Sequence, residues 1–197
     1  MEILNLNLPS SVGLTDEQYY QLCIANPEWQ IELTARGELA ITSPTGGESG
    51  IRNSDLTTEL TLWNRQTRLG KVFDSSTEFC LPNGAKRSPD VSWVKLDRWK
   101  ALSAKDRKRF PPLCPDFVIE LRSETDSLEK LRTKMREYRD NGAHLGWLLD
   151  PQTPGVEIYR PGQDVEMLYF PANRAPQLSG ENILPGFILD LSLILNP

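Results

Sequence analysis

Glu120 sits in the middle of Phe117-Val-Ile-Glu-Leu, a run otherwise apolar enough to be a buried strand. A carboxylate taken out of water without a partner either picks up a proton or finds a cation. Asp90, in Ser88-Pro-Asp-Val, opens a second strand just after a hairpin turn. Two carboxylates from neighbouring strands can hold a Mg²⁺ ion, which takes one or two carboxylates and completes its shell with waters and phosphate oxygens. An ion held in this way activates water and offsets the charge that develops on a phosphodiester. Asp116 shares a strand face with Glu120, but four residues along a strand span roughly 13 Å. The two cannot bind one ion, so Asp116 is expected to cap or ion-pair at the strand entrance.

Hydrolysis at such a site calls for a cation beside the acids. The position two residues after Glu120, on the same strand face, is Arg122. A guanidinium stays protonated, so Arg122 can bind phosphate but cannot serve as a general base. The helix that follows offers other cations. With Leu128 at 0° and about 100° per residue, Leu131, Met135 and Tyr138 form the buried face. Lys134 lies on one flank of that face, and Arg132 and Arg139 on the other. Helical phase does not choose among the three, and on phase alone a solvated basic flank is the better account of all of them.

The elements that must position these residues follow from the pattern around them. Thr15 and Gln18 form a capping-box pair ahead of a helix from Thr15 to Asn26. Trp29, Ile31 and Leu33 alternate with polar residues, Arg36-Gly37 turns the chain, and Leu39 and Ile41 alternate again, which predicts a hairpin. A long helix is expected from about Glu48 to Arg68, ended by Gly70, with Leu56, Leu60 and Trp63 on one face and Glu48 projecting to nearly the same side. Val72-Phe73, Phe79 to Leu81 and Val91 to Val94 are strand candidates, with Asn83-Gly84 as a hairpin turn between the last two. Lys95 to Phe110 is a charged helical insertion. Phe117–Leu121, a helix from Ser127 to Asn141 with Gly142 after its end, and Leu145–Leu149 make a strand–helix–strand crossover, so part of the sheet is parallel and covered by helices. Val156–Tyr159 is a further strand, and the rest of the chain is mixed strand and loop. The expected fold is α/β: an α/β/α sandwich with a central mixed sheet. It forms a single domain over 1–197, in which the N-terminal helix and hairpin (15–43) are appended to a core (48–170).

Bulk properties narrow the field. The chain has 197 residues, 39% of them hydrophobic and 25% charged, enough for one domain with a sizeable core. Its net charge is −5, so contact with a nucleic acid would have to rest on a local patch. Lys95 to Arg109 is such a patch, with seven basic residues against two acidic ones, although a solvated charged loop explains it as well. Three widely spaced cysteines without a CxxC pair argue against a disulfide framework or zinc knuckle and for a reducing, cytoplasmic setting. No secretory signal or membrane span is visible in the sequence. The single histidine, His144, reads as structural at a helix–strand junction, and Trp93 and Trp147 as core.

Ser88-Pro-Asp-Val, Pro115-Asp-Phe-Val-Ile-Glu-Leu-Arg-Ser, Glu129-Lys-Leu-Arg-Thr-Lys-Met-Arg-Glu-Tyr and Asn141-Gly-Ala-His-Leu-Gly-Trp-Leu-Leu-Asp-Pro together resemble the Uma-type restriction-endonuclease family. That family is expanded in cyanobacteria and belongs to the PD-(D/E)XK nuclease superfamily. The resemblance runs from about Thr15 to the chain end and is densest between Ser88 and Gly162. It implies a restriction-endonuclease-like fold and Mg²⁺- or Mn²⁺-dependent hydrolysis of DNA, with Asp90 and Glu120 as metal ligands. It also implies that Glu48 is the acidic residue of the first core helix. Arg122 departs from the usual lysine, and Lys134 is the candidate that would replace it from the following helix. This departure leaves open an inactive relative that binds DNA or a protein partner. Action on duplex DNA would favour a homodimer with two-fold symmetry.

Overall fold

The computed structural model describes residues 3–8, 12–42, 44–153, 155–171 and 176–195. Strand β1 (Ile3–Asn7) precedes helix α1 (Asp16–Ala25). The capping box forms as expected: the Gln18 amide donates to Thr15 Oγ1 and the Thr15 amide to Gln18 Oε1. Strands β2 (Gln30–Leu33) and β3 (Glu38–Thr42) make the expected hairpin, with Gly37 at φ +84° in its turn.

Helix α2 (Gly47–Thr67) buries Leu56, Leu60 and Trp63 on one face. Its end differs from the expectation. Arg68 closes it in the left-handed region at φ 57°, its amide bonding Asn64 O at 2.7 Å, and Gly70 instead opens β4 (Gly70–Asp74). A Cβ at Gly70 would lie 2.3 Å from both the Trp93 ring and the Val94 carbonyl, so this glycine serves close packing and not helix termination.

The Asn83-Gly84 turn joins β5 (Phe79–Cys80) to β6 (Lys86–Arg87), not to the strand that follows, β7 (Val91–Lys95). The charged insertion is one short helix, α3 (Leu96–Ala101), and a 3-10 turn at Asp106–Lys108. Then come β8 (Phe117–Leu121), α4 (Leu128–Asp140) and β9 (Leu145–Asp150), with Gly142 at φ +112° after the helix. Strands β10 (Gly155–Tyr159) and β11 (Glu166–Tyr169) extend the sheet, and β12 (Gln177–Ser179), β13 (Ile188–Asp190) and α5 (Ser192–Leu195) complete the described chain.

Among the described residues the central sheet runs β11-β10-β9-β8-β7-β4. The β8/β9 pair is parallel, as the crossover requires, and the other pairings are antiparallel. Side chains alternate across it. Phe117, Ile119, Leu121, Leu145, Trp147 and Leu149 pack toward α2 and the C-terminal segment, while Val118 and Leu148 meet Met135 and Tyr138 of α4. The result is α/β/α with a mixed sheet. A second sheet, β1-β3-β2-β6-β5, takes its last two strands from the middle of the chain and closes over the end of the first.

Candidate metal centre

Glu120 falls on the α4 face of β8, so strand alternation buries it against the helix. The register pairs Val91 with Ile119, and continued by one step it sets Asp90 beside Glu120. Asp90 is anchored there by the Leu121 amide, which donates to Oδ2 at 2.8 Å. From α4, Lys134 Nζ reaches Glu120 Oε1 at 2.9 Å, and one turn later the Tyr138 hydroxyl donates to the same oxygen at 3.0 Å. The sequence-predicted residues Asp90, Glu120 and Lys134 therefore converge. Of the three basic candidates on α4, Lys134 is the one that turns inward to this group. Arg132 pairs with Glu157 and Glu129, and Arg139 with Asp140.

Two residues that hold Lys134 and Asp90 in place went unrecognised in the sequence. Glu32, from β2, accepts from Lys134 Nζ at 2.9 Å and from the Ser88 amide at 2.7 Å. It also pairs with Arg87 at 3.2 Å, and Arg87 in turn holds Glu137 at 2.6 Å. With Ser88 O at 3.2 Å, the Lys134 ammonium has three acceptors for its three protons. Asn53 of α2 is the second: its Nδ2 donates to Asp90 Oδ1 at 3.3 Å. Nothing marked Glu32 in an ordinary alternating strand. On α2, Asn53 and Glu48 flank the buried stripe on opposite sides, about 20° from Leu60 and about 60° from Trp63 respectively, and only Asn53 reaches the acids.

Accordingly Glu48 is not part of the cluster. Its side chain is 79% exposed and pairs with Arg52 at 3.4 Å. Arg122 also stands apart: its guanidinium donates to Asp150 at 2.9 Å and to Asp126 O at 3.2 Å, across the ends of β8 and β9. Asp116 behaves as expected at the strand entrance, accepting from the Lys95 amide at 2.8 Å and pairing with Arg98 at 2.9 Å and with His144 at 3.5 Å. The basic segment begins at the end of β7 opposite Asp90, about 17 Å away along the strand. Trp93 and Trp147 are buried in the core.

The electrostatics follow from burial. Desolvation pushes Asp90 above its ordinary value, against the Leu121 amide and Lys134. It does the same to Glu120, where Lys134 opposes the shift and Asp90 and Glu32 add to it. Burial would also raise Glu32, but Lys134 and Arg87 overcome that and hold it low. Burial would lower Lys134, yet Glu120 and Glu32 keep it above the usual lysine range, so it stays charged.

These groups line a cavity of about 770 Å³ between the second sheet, the start of α2 and the N-terminal half of α4. Three carboxylates of the cavity (Glu32, Asp90, Glu120) face two cations (Lys134, Arg87), and burial disfavours the ionised forms of Asp90 and Glu120. Asn53 Oδ1 is buried with no hydrogen-bond partner among the described residues. Among the described residues no group of three or more His, Cys, Asp or Glu side chains is placed to hold an ion by itself. A divalent cation that keeps waters and takes only one or two carboxylates nonetheless fits this donor set and would favour the ionised form of both acids.

Comparison with known proteins speaks to the fold and the family. A solved structure from Anabaena variabilis, described as a "putative nuclease belonging to DUF820", superposes with a TM-score of 0.70 at 18% identity, covering 84% of this chain and 89% of that one. At that identity the likeness concerns the fold. No curated protein matches the chain. Among the described residues no helix is long and apolar enough to cross a membrane. The match that speaks to lineage spans residues 16–192, which takes in the second sheet apart from β1, the buried acids and α4, and by it the chain belongs to the Uma2 family, described as "putative restriction endonuclease".

Proposed function

We propose that this protein is a divalent-metal-dependent DNA endonuclease, with Mg²⁺ or Mn²⁺ held by Asp90 and Glu120. The observation that carries the reading is the pair of adjacent carboxylates, Asp90 and Glu120, lining one cavity in which burial disfavours their charge unless a cation is present, in a fold and family associated with nucleases. When bound, the cation would supply Lewis acidity, favouring ionisation of the attacking water and offsetting charge on the phosphodiester. Lys134 and Tyr138 both engage Glu120 Oε1, so Oε2 is the oxygen a cation would take. Lys134, kept protonated by its acidic neighbours and with its three protons taken by Glu120, Glu32 and Ser88 O, orients Glu120 and stabilises phosphate charge through space without acting as the base. Glu32 is a positioning residue that fixes where Lys134 points. Arg122, committed to Asp150, supports the end of β8 instead of gripping substrate.

The test is cleavage of plasmid and linear DNA by the purified chain, with Mg²⁺, with Mn²⁺ and with chelator. Cleavage should require the ion and fall by about 10²-fold or more in Asp90→Ala and Glu120→Ala. Equal cleavage by the variants would identify a contaminating nuclease. DNA binding without turnover under any divalent ion would replace the proposal with an inactive, DNA-binding relative.

A further inference from the structure

The Asn53 side chain is satisfied at one end only. Its Nδ2 donates to Asp90 Oδ1, while Oδ1 of the same amide is buried and accepts from no described residue. A buried acceptor left unpaired is costly, so native structures rarely keep one without a purpose. Turning the amide over does not help, because it would set Oδ1 against the Asp90 carboxylate and lose the donor. The amide is planar and small, so its free oxygen stays close to the carboxylate that its nitrogen touches. Asn53 also lines the same cavity as Asp90 and Glu120. An amide carbonyl is a hard oxygen donor of the kind Mg²⁺ and Mn²⁺ accept.

We infer that Asn53 is the third protein donor of the cation site, offering Oδ1 to the ion or to one of its waters from the first turns of α2. This inference rests on the reading of Asp90 and Glu120 as cation ligands. It gives α2 a role in the site through a neutral residue, so the pocket gains a ligand without a further buried charge.

The decisive measurement is Mn²⁺ affinity of the full chain, by calorimetry or electron paramagnetic resonance after chelation, with circular dichroism to verify folding. The unaltered chain should take up Mn²⁺, and Asp90→Asn should abolish uptake. Asn53→Ala should weaken it about 10-fold. Asn53→Asp separates ligation from mere positioning. It removes the donor that holds Asp90 but adds a ligating carboxylate, so it tightens Mn²⁺ binding if residue 53 is a ligand and weakens it if residue 53 only steadies Asp90. Should the alanine variant fail to fold, the aspartate variant decides alone. No uptake by the unaltered chain would overturn the two-carboxylate reading beneath the inference. Uptake that depends on Asp90 but is unchanged in Asn53→Ala, or weakened in Asn53→Asp, would overturn the third donor only.

Discussion

At the scale of single residues, acids buried beside polar partners organise more of this molecule than its metal centre. Glu78 is 5% exposed, and Tyr19 brings one hydroxyl within reach of both Glu78 Oε1 and the Ile31 carbonyl at 2.6 Å. A phenol has a single proton, so both contacts are made only when Glu78 contributes one of its own. Burial pushes Glu78 up to about 8; Tyr19 opposes the shift, Glu32 adds to it, and Lys86 and Arg87 pull against it. Because the folded value exceeds the unfolded one of 4.5, the neutral carboxyl stabilises the fold fully below about pH 4.5. That contribution is lost as the pH rises through about 8, a swing of at most roughly 5 kcal/mol. Glu78→Gln keeps the shape and cannot ionise. Denaturant unfolding across pH 4–9 should therefore show the variant gaining on the native chain as pH rises, and a flat difference curve would mean that Glu78 is already charged in the fold. Glu120 was legible because an acid inside an apolar strand is costly wherever it occurs, and Asp90 because it opens a second strand just after a turn. Glu78 and Glu32 were not, since their burial comes from α1 and from a sheet assembled out of distant segments.

The elements were legible wherever local pattern and tertiary packing agree. The capping box, the β2/β3 hairpin and the β8–α4–β9 crossover each follow from residues adjacent in sequence. Strand β6 was missed because Lys86 and Arg87 do not read as strand; they become one when β2 supplies a backbone partner and Asp16, Glu32 and Glu137 neutralise the charges. The end of α2 was misplaced for a related reason. Gly70 looks like a helix stop, but its lack of a Cβ is required by Trp93, which lies across it from the paired strand. Two glycines of the central sheet make the contrast testable. At Gly70 an added methyl meets the rigid indole and a backbone carbonyl, so Gly70→Ala should cost about 2–4 kcal/mol or displace β4. At Gly146 the close neighbour is the terminal methyl of Met135 at 2.6 Å, which can swing aside, so Gly146→Ala should cost about 1 kcal/mol. Thermal melts rank the pair, and equal losses would show that Trp93 is as free to move as Met135.

Across the whole molecule, charge is divided between the two ends of the central sheet. The buried acids gather where β7 begins and β8 ends, and the basic segment starts where β7 finishes, about 17 Å away. Two of its cations are internally engaged, Arg98 with Asp116 and Arg109 with Glu17, whereas Lys95, Lys100, Lys105, Arg107 and Lys108 are exposed. On a chain of net charge −5, these exposed cations would offer a polyanion a concentrated anchor, beginning at Lys95 about 17 Å along β7 from Asp90. A DNA molecule using both would reach from the basic segment to the site at Asp90. Replacing Lys100, Lys105, Arg107 and Lys108 with Gln should therefore weaken binding uniformly across sequences. Each lost phosphate contact should flatten the dependence of log affinity on log salt by about 0.9. The same variant should keep its Mn²⁺ affinity at ordinary ionic strength, because the four replaced residues are exposed and salt screens such charges beyond a Debye length of about 8 Å. Fluorescence anisotropy over a salt series, run beside a Mn²⁺ titration, separates the two effects. An unchanged salt slope would place the phosphate contacts on another face, and a loss of Mn²⁺ affinity would mean that the two ends of the sheet are coupled through its strands.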